Sequence, residues 1–319
     1  MILCIRKIKR TYAEASTRQK VAVLGITVIL FWVLGLFDRL TEKSFDEFSW
    51  PKEAYQKVPS TKFTYFPKCK FAGNDPKLLI VVKSSARNGQ MRESVRKTWG
   101  KYQKADGIEV MPVFVVGHSE NSEVRRQVDK EKEEFKDVLE ISSIDSYRNN
   151  TFKLFAALDY ASSPRACTSP DFVLLVDDDY IVHVPNLLKF AKTQRRSDPV
   201  YEGFVFHTSP FRLKIHKHSI SVDEYPFSRY PPYVSAGAVF LTSETVRRFQ
   251  KTMRSLKMFP FDDVFTGILA KTLSVPATHN ENFVFWSRHI TRNEWDEGVI
   301  AVHGFARKDL EYEYNLIFG

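Results

Sequence analysis

Phe172-Val173-Leu174-Leu175-Val176-Asp177-Asp178-Asp179 places three consecutive carboxylates at the end of an uninterrupted apolar run. Such a run describes a buried strand, which would deliver the three acids together at the rim of a sheet. They repel one another there and resist leaving water, so a cation is expected beside them. Carboxylates are hard oxygen donors that suit Mg2+ or Mn2+, and an ion held by only one or two of them keeps positions open for phosphate oxygens. Ligands of open α/β sheets sit outside the carboxyl ends of the strands, where this cluster falls, and a nucleoside diphosphate is the obvious partner. The string also reads as an acidic turn in which Asp179 starts the next segment.

On the amino-terminal side of this stretch, apolar runs alternate with amphipathic ones. Strands are expected at 78–82, 110–116 and 138–141, and helices at 90–102, 121–135 and 151–160. Strands alternating with helices imply βαβ units and a mostly parallel sheet covered on both faces. The other side is less regular. A Pro- and aromatic-rich stretch spans 225–233, followed by the small residues Ser235-Ala236-Gly237-Ala238, read as a turn, and a short strand at 239–241. Helices then start near Ser243 and at Asp262-Asp263, the second with Val264, Phe265, Ile268, Leu269 and Leu273 on one face.

At 319 residues and 43% hydrophobic content the chain can bury a full-sized core. Residues 21–37 carry no charge and give about 25 Å of helix at about 1.5 Å per residue, close to the thickness of a thin bilayer. Arg6, Lys7, Lys9, Arg10, Arg18 and Lys20 precede this run, whereas Asp38, Glu42, Asp46 and Glu47 follow it. The positive-inside rule predicts a cytosolic tail (1–20), a signal-anchor helix (21–37), an irregular stem (38–75) and a luminal catalytic domain (76–319). A cleaved signal peptide is the competing reading, but Trp32, Leu36 and Phe37 stand where its small residues belong. The expected address is the Golgi membrane, single-pass type II, with the ER as the alternative. Much of the net charge of +9 sits in the tail, and no aromatic-basic motif accompanies it, so nucleic acid is discounted as a partner. Cys69 and Cys167 would meet an oxidising lumen, either as a disulfide closing a loop of about a hundred residues or as two buried thiols.

Six elements occur in order over residues 76–305: Arg92-x3-Arg96-x-Thr98-Trp99-Gly100; Asp145-Ser146-Tyr147-Arg148-Asn149-Asn150-Thr151; Asp177-Asp178-Asp179; Glu224-Tyr225-Pro226 with Tyr230-Pro231-Pro232-Tyr233; Asp262-Asp263-Val264; and His303-Gly304. Together they resemble the β-1,3-glycosyltransferase family of β-1,3-galactosyl- and β-1,3-N-acetylglucosaminyltransferases. Val234 stands where that family commonly has Cys, and His218 where it has Trp.

The resemblance implies a GT-A-like nucleotide-sugar-binding α/β fold, a UDP-sugar donor, and Mn2+ or Mg2+. It also implies inverting transfer of a hexosyl residue, galactose first and N-acetylglucosamine next, to a sugar hydroxyl in β-1,3 linkage on a glycoprotein or glycolipid. It assigns the metal to Asp179 with His303 as second ligand, donor ribose or sugar hydroxyls to Asp177, and support of the turn beside the donor to Asp178. His303 also reads as a packed histidine bonded to backbone. Asp263 is expected as general base and Asp262 as helix cap or alternative base, although an Asp pair opening an apolar helix is also an ordinary N-terminal cap.

Arg92 and Arg96 lie four apart on one helix, where one could reach the uridine or diphosphate or both could form a solvated basic face. Trp99 reads as core. Residues Tyr230 to Tyr233 read as a sugar-stacking loop or a structural corner. Asn149-Asn150-Thr151 is a glycosylation sequon that requires an exposed Asn149, or else a helix start capped by Thr151. Two other classes compete with the transferase: a catalytically silent glycan-binding or escort relative, and a metal-dependent phosphohydrolase, which typically needs more ligands for a second metal.

Overall fold

The computed structural model describes residues 15–52, 62–68, 71, 73–163, 170–305 and 308–319. Cys69 and Cys167 lie outside these residues, so the disulfide expectation falls there too. Two compact units emerge along the chain, 1–49 with 208–230 and 50–207 with 231–319.

Among the described residues the larger unit contains twelve strands: β1 (Phe63–Tyr65), β2 (Lys77–Lys83), β3 (Lys104–Ala105), β4 (Ile108–His118), β5 (Val138–Ile144), β6 (Phe172–Asp177), β7 (Tyr180–Val182), β8 (Tyr201–Phe206), β9 (Tyr233–Thr242), β10 (Thr278–His279), β11 (Phe283–Val284) and β12 (Ala301–His303). The main sheet runs β1-β5-β4-β2-β6-β9-β8-β10, with β3 beside β4. Its four central strands β5, β4, β2 and β6 are parallel, while β1 and β9 pair antiparallel on either side. Leu78 to Val82 and Val173 to Val176 are nearly or fully inaccessible, as expected of strands covered on both faces.

Three elements differ from the sequence-based expectation. The 90–102 helix stops at Lys97, and Trp99 turns inward through a 3-10 turn (Trp99–Lys101) so that its Nε1 donates to the Tyr180 carbonyl at 2.9 Å. Residues 235–238 are not a turn: they lie inside the ten-residue β9. Their small size has a packing cause, because a Cβ on Gly237 would stand 2.2 Å from the Tyr180 Oη. Finally, the expected 21–37 span is interrupted. Its helix is Thr17–Val33, followed by Gly35 in the left-handed region (φ 68°) and a short helix Leu36–Leu40. Only glycine fits at position 35, since a Cβ there would meet the Arg212 carbonyl oxygen at 2.2 Å. Among the described residues no helix is long and apolar enough to cross a membrane.

The smaller unit revises the stem. Instead of an irregular spacer, residues 38–49 fold against 208–230: Lys43 bridges to Phe227, and Phe48 packs on the Phe227 ring at 5.1 Å. Tyr225 and Tyr230 are buried 4.7 Å apart within this unit, and Tyr233 is buried in β9. The aromatic-proline element is therefore a structural corner rather than an open stacking surface.

Candidate active site

The site begins with a pair of strand ends. β2 and β6 run parallel in register, so Lys83 lies beside Asp177. The Lys83 Nζ is 3.0 Å from Asp177 Oδ1 and 2.7 Å from Asp262 Oδ2, the latter at the start of the Asp262–Thr272 helix. Burial alone would lower the Lys83 pKa, but the Asp177 and Asp262 charges outweigh it and hold the ammonium protonated. Asp177 does not shift down as the partner of a lone ion pair would. Burial, reinforced by Asp179 and Asp262 and only partly opposed by Lys83, pushes it up to about 6, because several carboxylates share one ammonium. Lys83 was not among the expected site residues, although a Lys ending the apolar run Leu78 to Val82 carries the same signal as the acid ending the 172–176 run.

Asp178 turns inward and supports the loop after β2, accepting from Ser84 Oγ at 2.7 Å and Asn88 Nδ2 at 3.0 Å. Asp179 directly precedes a second, smaller sheet, in which β7 pairs antiparallel with β12 and sets His303 opposite Tyr180. The Asp179 carbonyl accepts from Gly304 and Phe305 N–H at 3.1 and 3.0 Å, and its Oδ2 lies 3.2 Å from His303 Nε2. The imidazole lies 5.1 Å from the Tyr180 ring and stacks nearly parallel to the Phe285 ring at 5.8 Å, and its bond to Asp179 raises its pKa. The other Asp179 oxygen, Oδ1, is buried without a hydrogen-bond partner. An orphaned carboxylate oxygen beside an imidazole is a donor set that fits Mn2+ or Mg2+. Among the described residues no group of three or more His, Cys, Asp and Glu side chains could hold a metal ion, so an ion here would take two protein donors and leave its other positions to substrate.

Asp262 does not cap its helix. Phe261 occupies the cap position without a side-chain bond, and the Asp262 carboxylate is committed to Lys83. Asp263 accepts the Val264 N–H through Oδ1 at 2.7 Å. Burial, and then the Asp262 charge, push its carboxyl up to about 7, the range suited to a general base at neutral pH. Tyr147, from the Tyr147–Asn149 turn, lies in the field of Asp263, Asp262 and Asp177, 6.3 Å from the Phe261 ring. The residue is 54% exposed, an aromatic surface beside the acids for which no role was expected.

The two arginines are scaffold. Arg92 is fully buried, and its guanidinium donates to Glu131, Ser84 Oγ, Ser85 O and Ala86 O, which leaves no fork for a phosphate. Arg96 is bidentate to Asp137, also binds Glu131, and lies between the Phe114 and Phe135 rings. Helical spacing predicted their shared direction but not the acidic partners facing them. The sequon falls at a helix start, one of its two expected readings, but Thr151 does not cap it: Asn149 is half-buried with its amide donating to Ile144 O at 2.9 Å, and Thr151 is buried with its hydroxyl on Phe259 O. It is built into a helix start rather than presented on an exposed loop.

At the carboxyl ends of β2, β4 and β5 opens a cleft of about 200 Å3, lined in part by Ser85, Arg87, His118, Ser119 and Asn121. Its floor is fixed by Lys153, whose Nζ binds Asp145 Oδ1 at 2.7 Å and Ser84 O at 2.9 Å.

The family profile described as Galactosyltransferase matches residues 90–281, which makes this chain a glycosyltransferase. It is 64% identical over 320 residues to Beta-1,3-galactosyltransferase bre-5 of Caenorhabditis elegans, covering 100% of this chain and 99% of that one. It is 35% identical over 253 residues to Beta-1,3-galactosyltransferase brn of Drosophila melanogaster, covering 77% of each. To UDP-GalNAc:beta-1,3-N-acetylgalactosaminyltransferase 1 of Mus musculus it is 27% identical over 256 residues, 78% of this chain and 76% of that one. The chain belongs to the β-1,3-glycosyltransferase family, as its motif order implied.

Proposed function

We propose that the chain transfers a hexosyl residue, galactose first and N-acetylglucosamine next, from a UDP-sugar to a sugar hydroxyl in β-1,3 linkage, with inversion, on a glycoprotein or glycolipid. The observation that carries this reading is the convergence of Asp179 and His303, 3.2 Å apart though distant in sequence, beside a carboxylate cluster that includes the raised Asp263. The two most similar relatives reported above, both β-1,3-galactosyltransferases, support galactose as donor sugar.

In this reading the nucleoside lies against the cleft at the ends of β2, β4 and β5, the expected place for a nucleotide on such a sheet. Asp177 takes hydroxyls of the donor. Asp179 and His303 would hold a divalent ion, which when bound supplies positive charge to the diphosphate leaving group. Asp263 accepts the proton of the acceptor hydroxyl as that oxygen attacks the anomeric carbon from the face opposite UDP. Asp262 is the poorer base, because its carboxylate is tied to Lys83. Lys83 keeps Asp177 and Asp262 from repelling the incoming diphosphate, and Tyr147 offers a ring against which a sugar can stack.

Incubating the purified chain with UDP-galactose, UDP-N-acetylglucosamine and a panel of simple acceptors, then identifying the product linkage by NMR, tests the assignment. Binding of a UDP-sugar with neither hydrolysis nor a new glycosidic bond would favour a silent relative. Asp179→Ala is expected to lower Mn2+-dependent UDP release about a hundredfold or more, the scale of losing one preorganised charge contact. An unchanged Mn2+ titration in that variant removes the metal assignment.

We further propose that the chain is held on the Golgi membrane with residues 38 onward luminal. Support comes from the uncharged 21–33 part of the Thr17–Val33 helix, none of whose residues is buried. Alkaline carbonate should leave the protein in the membrane pellet; full release into the supernatant contradicts anchoring.

A further inference from the structure

The loop that follows β2 is held at nearly every residue. Ser84 Oγ accepts from Arg92 Nη1 at 2.9 Å and donates to Asp178 at 2.7 Å, while its carbonyl accepts from Lys153 at 2.9 Å. The Ser85 and Ala86 carbonyls accept from the same Arg92 guanidinium at 2.6 and 3.2 Å, and the Ala86 N–H donates to Asp145. Asn88 donates to Asp178 through Nδ2 at 3.0 Å and to the Ser85 carbonyl through its N–H at 2.8 Å. Arg92 and Lys153 are both buried, so two buried cations are committed to fixing one short loop. The residue left between these anchors is Arg87. It is exposed, it lines the cleft at the ends of β2, β4 and β5, and among the described residues it has no carboxylate partner. Of the two carboxylates lining that cleft, Asp145 is already neutralised by Lys153, and Glu120 is exposed to solvent.

We infer that Arg87 is the donor-binding cation that Arg92 and Arg96 are not: its guanidinium takes the diphosphate of the UDP-sugar. A guanidinium offers a planar fork of donors that matches phosphate oxygens, and a backbone already fixed lowers the ordering cost when the ligand arrives. The next residue, Asn88, touches Asp178, the neighbour of Asp179, so the loop carrying Arg87 joins the cleft to the acidic rim. A diphosphate reaching from a nucleoside in that cleft toward Asp179 and His303 runs along this loop. Arg92 then has a role of its own, which is to hold the carbonyls on either side of the position that Arg87 occupies. The inference rests on the proposed reading that the nucleoside lies in this cleft.

Calorimetric titration of the full chain and its Arg87→Gln variant with UDP, UMP and uridine in the presence of Mn2+ tests it. UDP affinity should fall about tenfold, the scale of one charge-assisted hydrogen-bonded contact open to solvent, while uridine affinity stays within about twofold. UMP, with one phosphate, should lose less than UDP. Arg87→Lys keeps the charge without the fork and should lie between the two chains. The KM for UDP-galactose should rise in parallel with the UDP dissociation constant, with the acceptor KM within about twofold. Melting temperatures should coincide, because an exposed side chain without a partner is removed. UDP affinity within twofold of the unaltered chain overturns the inference and makes Arg87 a solvated surface residue. Uridine weakened as much as UDP also overturns it, since the contact is then to the nucleoside. If the unaltered chain binds neither uridine nor UDP, the donor reading of the cleft fails and the inference with it, whereas UDP binding that ignores Arg87 defeats the inference alone.

Discussion

Replacing Asp263 by asparagine is expected to lower kcat about a hundredfold to ten-thousandfold, the usual contribution of a positioned general base, while thermal stability holds or rises. Asparagine can still accept the Val264 N–H, so the local geometry survives. It also removes a carboxylate that burial and Asp262 already disfavour in its charged form. Loss of rate without loss of melting temperature separates a base from a structural cap, whose removal would lower both. The unaltered enzyme adds an independent check. A base must be deprotonated, and its carboxyl is pushed up to about 7, so kcat/KM should climb about tenfold per pH unit below that point and level off above it. A profile flat from pH 5.5 to 8, or a variant that retains most of its kcat, assigns the proton transfer elsewhere.

Lys83→Met should be the most destabilising single change at the site. It deletes the ammonium shared by Asp177 and Asp262 and leaves two carboxylates facing each other with no cation, at a cost of about 3 kcal/mol. The lower end of the range for broken buried pairs applies because the Asp177 side chain is 40% exposed and water screens it. The sign of the pH dependence follows from Asp177. Its folded-state pKa is raised above the ordinary value, to about 6, so the charged form is the one that destabilises, and stability falls as pH rises through that window. Removing Lys83 widens the window upward. Thermal unfolding at pH 5 and pH 8 should therefore show a larger deficit at pH 8; equal melting temperatures for variant and parent at pH 8 would show that the pair is not holding the site together.

How much of this was readable depends on whether the deciding interaction is local. The strands at 77–83 and 172–177 announce themselves as unbroken apolar runs, since both faces are buried, and the acids at 177–179 mark the rim without any coordinates. The helix beginning at 262 is equally plain. By contrast, Ser235 to Ala238 mimic a turn because small residues serve two purposes, flexibility and close approach, and only the Tyr180 ring pressing on Gly237 tells which. Arg92 and Arg96 show the same ambiguity: a four-residue spacing fixes a common face but says nothing of Glu131 and Asp137, which meet that face and neutralise it.

The sequence by itself determined the order of elements, the alternation that makes a parallel sheet, the family motifs and the chemical character of the rim, because each is written in periodicity or in neighbouring residues. Only the tertiary structure decided which charges meet. It brought Lys83 between Asp177 and Asp262, His303 onto Asp179, and Glu42 onto Arg212. Those pairings join residues tens to hundreds of positions apart, and their energies come from burial that exists only once the chain has closed around them.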